Sequence, residues 1–152
     1  MNKFKEVGVI LGTQGPFRNI VQIKIGNAHS VEFDFLEWWQ LHKLYPQDWI
    51  VIHTHAPEVG AIFSNKDLEF YKAIQLALYP FQVFFIVYMP PQEFTAKYRG
   101  EGITGTYDPC NKSAWVFTSI DTRISHLMDS IRNGLDVCFH LNYLVQNFKV
   151  EL

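Results

Sequence analysis

The sequence of 152 residues has few cysteines, no strong excess of either charge and no long apolar run. Its two cysteines, Cys110 and Cys138, do not form the closely spaced pairs of a disulfide framework or of a cysteine-based zinc site. A net charge of -2 gives no general attraction for a polyanion, so we expect no nucleic-acid partner. No apolar run reaches the roughly 18 residues that span a bilayer, so we expect no membrane partner and a cytoplasmic location.

Apolar and aromatic residues are abundant. Hydrophobic residues make up 48% of the chain and aromatic residues 16%. This composition excludes a disordered chain and indicates a core dominated by large rings. The sequence contains neither a linker nor an internal repeat, and a chain of this length can bury one core. We therefore predict a single domain over residues 1–152.

Hydrophobic periodicity predicts strands that alternate with helices. The predicted elements are a hairpin of residues 7–11 and 19–25, a helix from about 32 to 44 with Ser30 as its N-cap, a strand at 49–52 leading into His53, a helix after Ser64, a strand at 82–88, short strands at 94–98, 105–107 and 114–120, and a helical pattern from Asp121 onward. This order predicts the α/β class, with a mixed β-sheet flanked by helices.

Two histidines stand at the end of a predicted strand, in His53-Thr54-His55. Side chains at i and i+2 of a strand point to one face, so the two imidazoles would lie side by side as ligands for Zn²⁺. Taken alone, the pair is more typical of two polar residues at a strand end than of a metal site. Its interpretation therefore depends on the next polar residues along the chain.

The S-x-x-D pattern of Ser64-Asn65-Lys66-Asp67 lies in the same region. It has the form of a helix capping box, and it also places a carboxylate in the first turn of a helix, within reach of a metal held by the strand. The two functions are compatible. Two histidines and one aspartate would leave a tetrahedral ion one open position for water, as in catalytic zinc sites.

These residues resemble the signature of the JAMM (MPN-type) zinc metallopeptidases, in particular short prokaryotic and phage members. That signature combines an upstream Glu, H-x-H-P and S-x-x-D. This chain departs from it in two places: eight residues separate His55 from Ser64, one more than in the family, and the proline comes one place late, as Pro57. The resemblance implies a JAMM/MPN (cytidine-deaminase-like) architecture, with His53, His55 and Asp67 as zinc ligands.

The family's catalytic glutamate lies on the first strand, and here Glu6-Val7-Gly8 offers the match. Strand alternation places Glu6, Gly8 and Ile10 on one face, from which the carboxylate can point into a cleft. Glu32 and Glu58 are the competing candidates for the general base. The resemblance implies that Glu6 takes the proton of a zinc-activated water and that Ser64 donates a hydrogen bond to the oxyanion.

The implied function is zinc-dependent hydrolysis of a peptide or isopeptide bond. Family members often cut after the Gly-Gly terminus of a ubiquitin-like protein, whereas others process sulfur carriers or phage tail proteins. The expected partner is thus a protein or peptide, with a ubiquitin-like or phage protein among the candidates. Two alternatives stay open: a catalytically silent MPN-type scaffold, and a metal-bearing module of the kind linked to bacterial DNA repair.

Overall fold

A computed structural model describes residues 6–14, 20–27, 30–55, 58–60, 62–89, 101–110 and 115–119. The elements in these ranges are β1 (Val7–Gly12), β2 (Ile20–Ile25), α1 (Phe35–Leu44), β3 (Trp49–Thr54), α2 (Asn65–Leu78), β4 (Val83–Met89), β5 (Glu101–Tyr107) and β6 (Trp115–Ser119). Their order confirms the prediction from the hairpin through the strand at 82–88. The predicted strand at 94–98 and the helical pattern from Asp121 onward lie outside the described residues.

The six strands form one mixed sheet in the order β2-β1-β3-β4-β5-β6. Strands β3 and β4 are parallel because α2 carries the chain back across the sheet between them. The other neighbouring strands pair antiparallel. The predicted α/β class with a mixed sheet and helices is therefore confirmed.

Both helices pack on the same face of the sheet. The core there joins Trp38 of α1 and Tyr71 of α2 to Ile10, Val51 and Phe85 of the central strands. Val51 and His53 point to the same face because they are two residues apart on β3. The first histidine of the H-x-H pair therefore lies on the helix-covered face. Neither helix in the described ranges is long and apolar enough to cross a membrane.

Helix α1 begins later than predicted, and its N-cap is Asp34 rather than Ser30. The Asp34 carboxylate accepts the backbone N–H of Glu37 at 3.0 Å. The amide of Gln22 on β2 clamps the Asp34 backbone, accepting its N–H at 2.7 Å and donating to its carbonyl at 3.1 Å. This clamp holds the chain before Phe35 extended along β2, so a helix cannot start at residue 32.

Strand β5 also begins earlier than predicted. The predicted short strand covers only residues 105–107, but Glu101–Tyr107 is one continuous strand paired with β4 and β6. Gly105 lies within this strand and leaves space for the ring of Phe63, because a Cβ at this position would lie 2.9 Å from that ring. The glycine therefore serves close packing rather than a turn.

Candidate metal centre

Three chain segments meet at one end of the sheet, and each supplies polar side chains. His53 and His55 lie at the carboxyl end of β3. Strand β1 runs antiparallel to β3, with Gly8 opposite His53, so Glu6 just before β1 lies at the same end. Helix α2 begins nearby because it follows β3 in the chain. The connectivity thus brings together residues that are up to 61 positions apart, from Glu6 to Asp67.

Three potential ligand atoms form a compact triangle. The Nε2 atoms of His53 and His55 are 2.9 Å apart. The Oδ2 atom of Asp67 lies 3.4 Å from Nε2 of His53 and 3.2 Å from Nε2 of His55. In a regular tetrahedral site with zinc–ligand distances of about 2.05 Å, neighbouring ligand atoms are about 3.3 Å apart. The triangle therefore has the dimensions of one face of such a site.

Glu6 completes the acidic part of the cluster. Ligand atoms of Glu6, His53 and His55 all lie within 4.8 Å of one another, and the three residues are buried, so this group could hold a metal ion. The Glu6 backbone is anchored to the turn after β2: its N–H donates to the carbonyl of Asn27, and its carbonyl accepts from Gly26, both at 2.8 Å. A divalent cation held by this group would offset the buried negative charge of Glu6.

The predicted capping box is present at the start of α2. Ser64 Oγ accepts the backbone N–H of Asp67 at 3.1 Å, and Asp67 Oδ2 accepts the backbone N–H of Ser64 at 3.0 Å. The oxygen of Asp67 that faces the two imidazoles is thus itself fixed by the cap. Because the Ser64 hydroxyl oxygen accepts this bond, its own proton stays available to donate to another group.

Each imidazole is also held at its other nitrogen. Nδ1 of His55 lies 3.2 Å from the carbonyl oxygen of Gly60. A carbonyl can only accept, so Nδ1 carries the proton and Nε2 of the neutral ring presents a lone pair. Gly60 has a φ of 89°, in the left-handed region that favours glycine. Nδ1 of His53 forms a hydrogen bond with the hydroxyl of Tyr71.

The electrostatics of the cluster favour a cation beside Asp67. Burial raises the pKa of Asp67, but the two imidazoles beside its carboxylate outweigh this effect and hold that pKa well below its usual range. Burial lowers the pKa of His53, with partial compensation from Asp67. Burial also disfavours charge on His55, yet the hydrogen bond and charge of Asp67, helped by Gly60 and Glu6, raise its pKa overall. A proton or a metal ion is thus stabilised at this point.

The cluster opens into a cleft of about 490 Å³. Its lining residues are Glu6, Ser30, Val31, Glu32, Phe33, His53, His55, Val59, Ser64, Lys66, Asp67, Phe70 and Tyr71. Of the competing bases, Glu32 is exposed at the cleft wall, whereas Glu58 is exposed and does not line the cleft. Glu6 is 6% exposed and belongs to the cluster itself. The geometry therefore favours Glu6 among the three.

Two contacts at the site go beyond what the sequence predicts. Periodicity places Tyr71 on the apolar face of α2, but its hydroxyl also contacts His53. Phe33 lies over Gly8, where a Cβ would come within 2.5 Å of its ring, so the glycine lets this ring form a cleft wall beside the cluster. The contact between Tyr71 and His53 has one signal in the sequence: Tyr71 follows Asp67 by four residues and therefore lies on the same face of the helix.

Lowering the pH is expected to release a bound metal ion, since an imidazole must be deprotonated at the nitrogen that binds. The pKa of His55 is raised above its ordinary value of 6.5, so protons compete with the metal ion for this ring at a pH above that value. His53 has a lowered pKa and competes at lower pH. The affinity for the metal ion should therefore fall as the pH falls, and more steeply once both rings take protons. Chelator-competition titrations between pH 8 and pH 5 measure this, and a flat profile would contradict histidine ligation.

Comparison with known proteins adds no family assignment. No protein-family model matches the sequence, and a search of curated proteins finds no match. The interpretation of the site therefore depends on its geometry and on the motif resemblance.

Proposed function

We propose that this protein is a zinc-dependent hydrolase of the JAMM/MPN type that cleaves a peptide or isopeptide bond. His53, His55 and Asp67 would hold the ion, and Glu6 would act as the general base. The observation that carries the proposal is the triangle of 2.9, 3.2 and 3.4 Å between two imidazole nitrogens and a carboxylate oxygen, with a buried glutamate beside it. The motif resemblance, the mixed sheet and the capping box support it.

The chain's own groups are suited to this chemistry. When bound, Zn²⁺ supplies a Lewis acid that brings the pKa of a water molecule to about 7. Glu6 accepts a proton at its carboxylate and later delivers it to the leaving amine. Ser64 donates its hydroxyl proton to the developing oxyanion while its oxygen keeps the bond to the Asp67 N–H. The buried sides of the cluster limit the entry of bulk water and strengthen these interactions.

The proposal predicts about one zinc ion per chain in protein expressed without a metal-binding tag. Three protein ligands and one water satisfy a tetrahedral ion, so one equivalent should be retained after dialysis. Plasma mass spectrometry measures the metal, and hydrolysis is then assayed on di-ubiquitin, a ubiquitin-like fusion and a peptide library. Far less than one equivalent, even after zinc is supplied, would contradict the metal site. Full zinc loading without hydrolysis of any substrate in the panel would favour the scaffold alternative.

A further inference from the structure

The hydroxyl of Tyr71 is the side-chain group that contacts the inner nitrogen of His53 in the described part of the chain. Tyr71 is 2% exposed and His53 is 3% exposed. Water therefore has little access to Nδ1 of His53. Among the residues that the structure describes, the hydrogen-bond partner of this nitrogen is the tyrosine hydroxyl.

The ring of Tyr71 is held in place by its neighbours. It stacks on Phe85 with ring centroids 4.1 Å apart and an interplanar angle of 16°. It also meets the ring of Phe63 edge-on at 5.8 Å and 89°. Because Tyr71 lies one helical turn after Asp67 on α2, the same helix positions one proposed ligand and the group that contacts another.

The chemistry of a neutral imidazole sets the direction of this hydrogen bond. When the proton of the neutral His53 ring is on Nε2, the Tyr71 hydroxyl can donate to Nδ1, and the Nε2–H points to Nε2 of His55 at 2.9 Å. When Nε2 binds a metal ion it has no proton, so the proton of the neutral ring is on Nδ1. The ring stays neutral, because one proton leaves Nε2 and one is taken up at Nδ1. The hydroxyl can accept as well as donate, so it fits both tautomers.

We propose that Tyr71 is a positioning residue for the metal, whose hydroxyl accepts the Nδ1–H of His53 and thereby orients Nε2 toward the ion. The inference depends on the proposed metal site. It gives His53 an orienting partner equivalent to the one that the Gly60 carbonyl provides for His55. Such partners of a metal-binding histidine typically contribute about 10-fold to 100-fold in metal affinity.

The test compares the wild type with Tyr71→Phe, which keeps the stacked ring and removes only the hydroxyl. We expect its zinc affinity to fall by about 10-fold to 100-fold, because Nδ1–H would be buried without an acceptor. Affinity is measured by competition with a chromogenic chelator. The visible absorption of Co²⁺-loaded protein reports whether the coordination geometry changes, and thermal unfolding of the metal-free protein reports any loss of packing.

Tyr79→Phe is the matched control. It removes the same hydroxyl at the other end of α2, from a ring that is 52% exposed and contacts Cys110 Sγ at 2.9 Å. We expect its zinc affinity and Co²⁺ spectrum to equal those of the wild type. A second comparison uses His53→Ala with and without Tyr71→Phe, and the two proteins should bind zinc equally weakly because the hydroxyl acts through His53.

The outcomes separate this inference from the proposed function. If the wild type binds no zinc, the metal site itself is wrong. If the wild type binds zinc and Tyr71→Phe binds it equally well with an unchanged Co²⁺ spectrum, the positioning role is wrong and Tyr71 serves packing alone. A loss of affinity in Tyr71→Phe that persists with the same factor in the His53→Ala background would also overturn the inference.

Discussion

Replacing Glu6 with glutamine is expected to remove most of the hydrolytic activity while leaving zinc bound. The amide keeps the size and shape of the side chain but cannot take a proton from water. Loss of a general base typically slows a reaction by roughly 100-fold to 10,000-fold. The measurement is the turnover of zinc-loaded Glu6→Gln protein on the most sensitive substrate of the panel, with its zinc content determined in the same sample.

Glu32→Gln and Glu58→Gln are the controls for this prediction. Glu32 is exposed at the cleft wall and Glu58 is exposed away from it, so neither carboxylate is held beside the imidazoles. Both variants should keep at least most of the wild-type turnover. An inert Glu58→Gln protein combined with an active Glu6→Gln protein would assign the base to the loop before α2.

Zinc content in Glu6→Gln also separates two functions of the buried carboxylate. The ligand atom of Glu6 lies within 4.8 Å of those of both histidines, a distance that suits either a base beside the bound water or a further ligand. If Glu6→Gln retains one equivalent of zinc but loses turnover, Glu6 acts as the general base. Loss of the zinc itself would indicate that Glu6 binds the ion directly.

Local patterns in the sequence predict the elements that carry the site. The continuous apolar run at 49–52 that leads into His53-Thr54-His55 and the capping box at Ser64 each depend on residues close together in the chain. Both patterns predict elements that the structure contains, β3 and α2. Glu6 is a candidate general base only through the motif resemblance. Strand alternation predicts the face of the sheet to which its side chain points, but not which residues it approaches there. Its approach to His53 follows from the antiparallel pairing of β1 with β3, which is a property of the whole sheet.

The features that the sequence does not predict depend on contacts between distant residues. Asp34 and Glu37 also form a D-x-x-E capping pattern, but the choice of Asp34 over Ser30 is made by the Gln22 amide on a neighbouring strand. Tyr71 has the spacing of an ordinary core residue, and its hydroxyl acquires a function only because the helix places it against His53. In both cases a polar atom forms a hydrogen bond with a residue that is distant in the sequence. Hydrophobic periodicity does not predict such pairs.

Removing any one proposed ligand is expected to abolish retention of zinc. His53→Ala and His55→Ala each leave two protein ligands and should hold far less than one equivalent after dialysis. Asp67→Asn is the more informative change because asparagine still accepts the backbone N–H of Ser64 and so preserves much of the cap. Its loss of zinc would then reflect the missing negative charge beside the imidazoles.

Ser64→Ala is the complementary variant, since it removes the hydroxyl that caps α2 and leaves all three ligands. Loss of the cap should cost about 0.5–2 kcal/mol of stability. Loss of an oxyanion donor should lower turnover by roughly 100-fold to 1,000-fold, with zinc near one equivalent. Mass spectrometry and thermal unfolding of Ser64→Ala and Asp67→Asn thus separate the two functions of the S-x-x-D segment. If Ser64→Ala lost zinc while Asp67→Asn kept it, Asp67 would act through the cap alone, and the third ligand would have to be Glu6, the remaining carboxylate of the buried cluster.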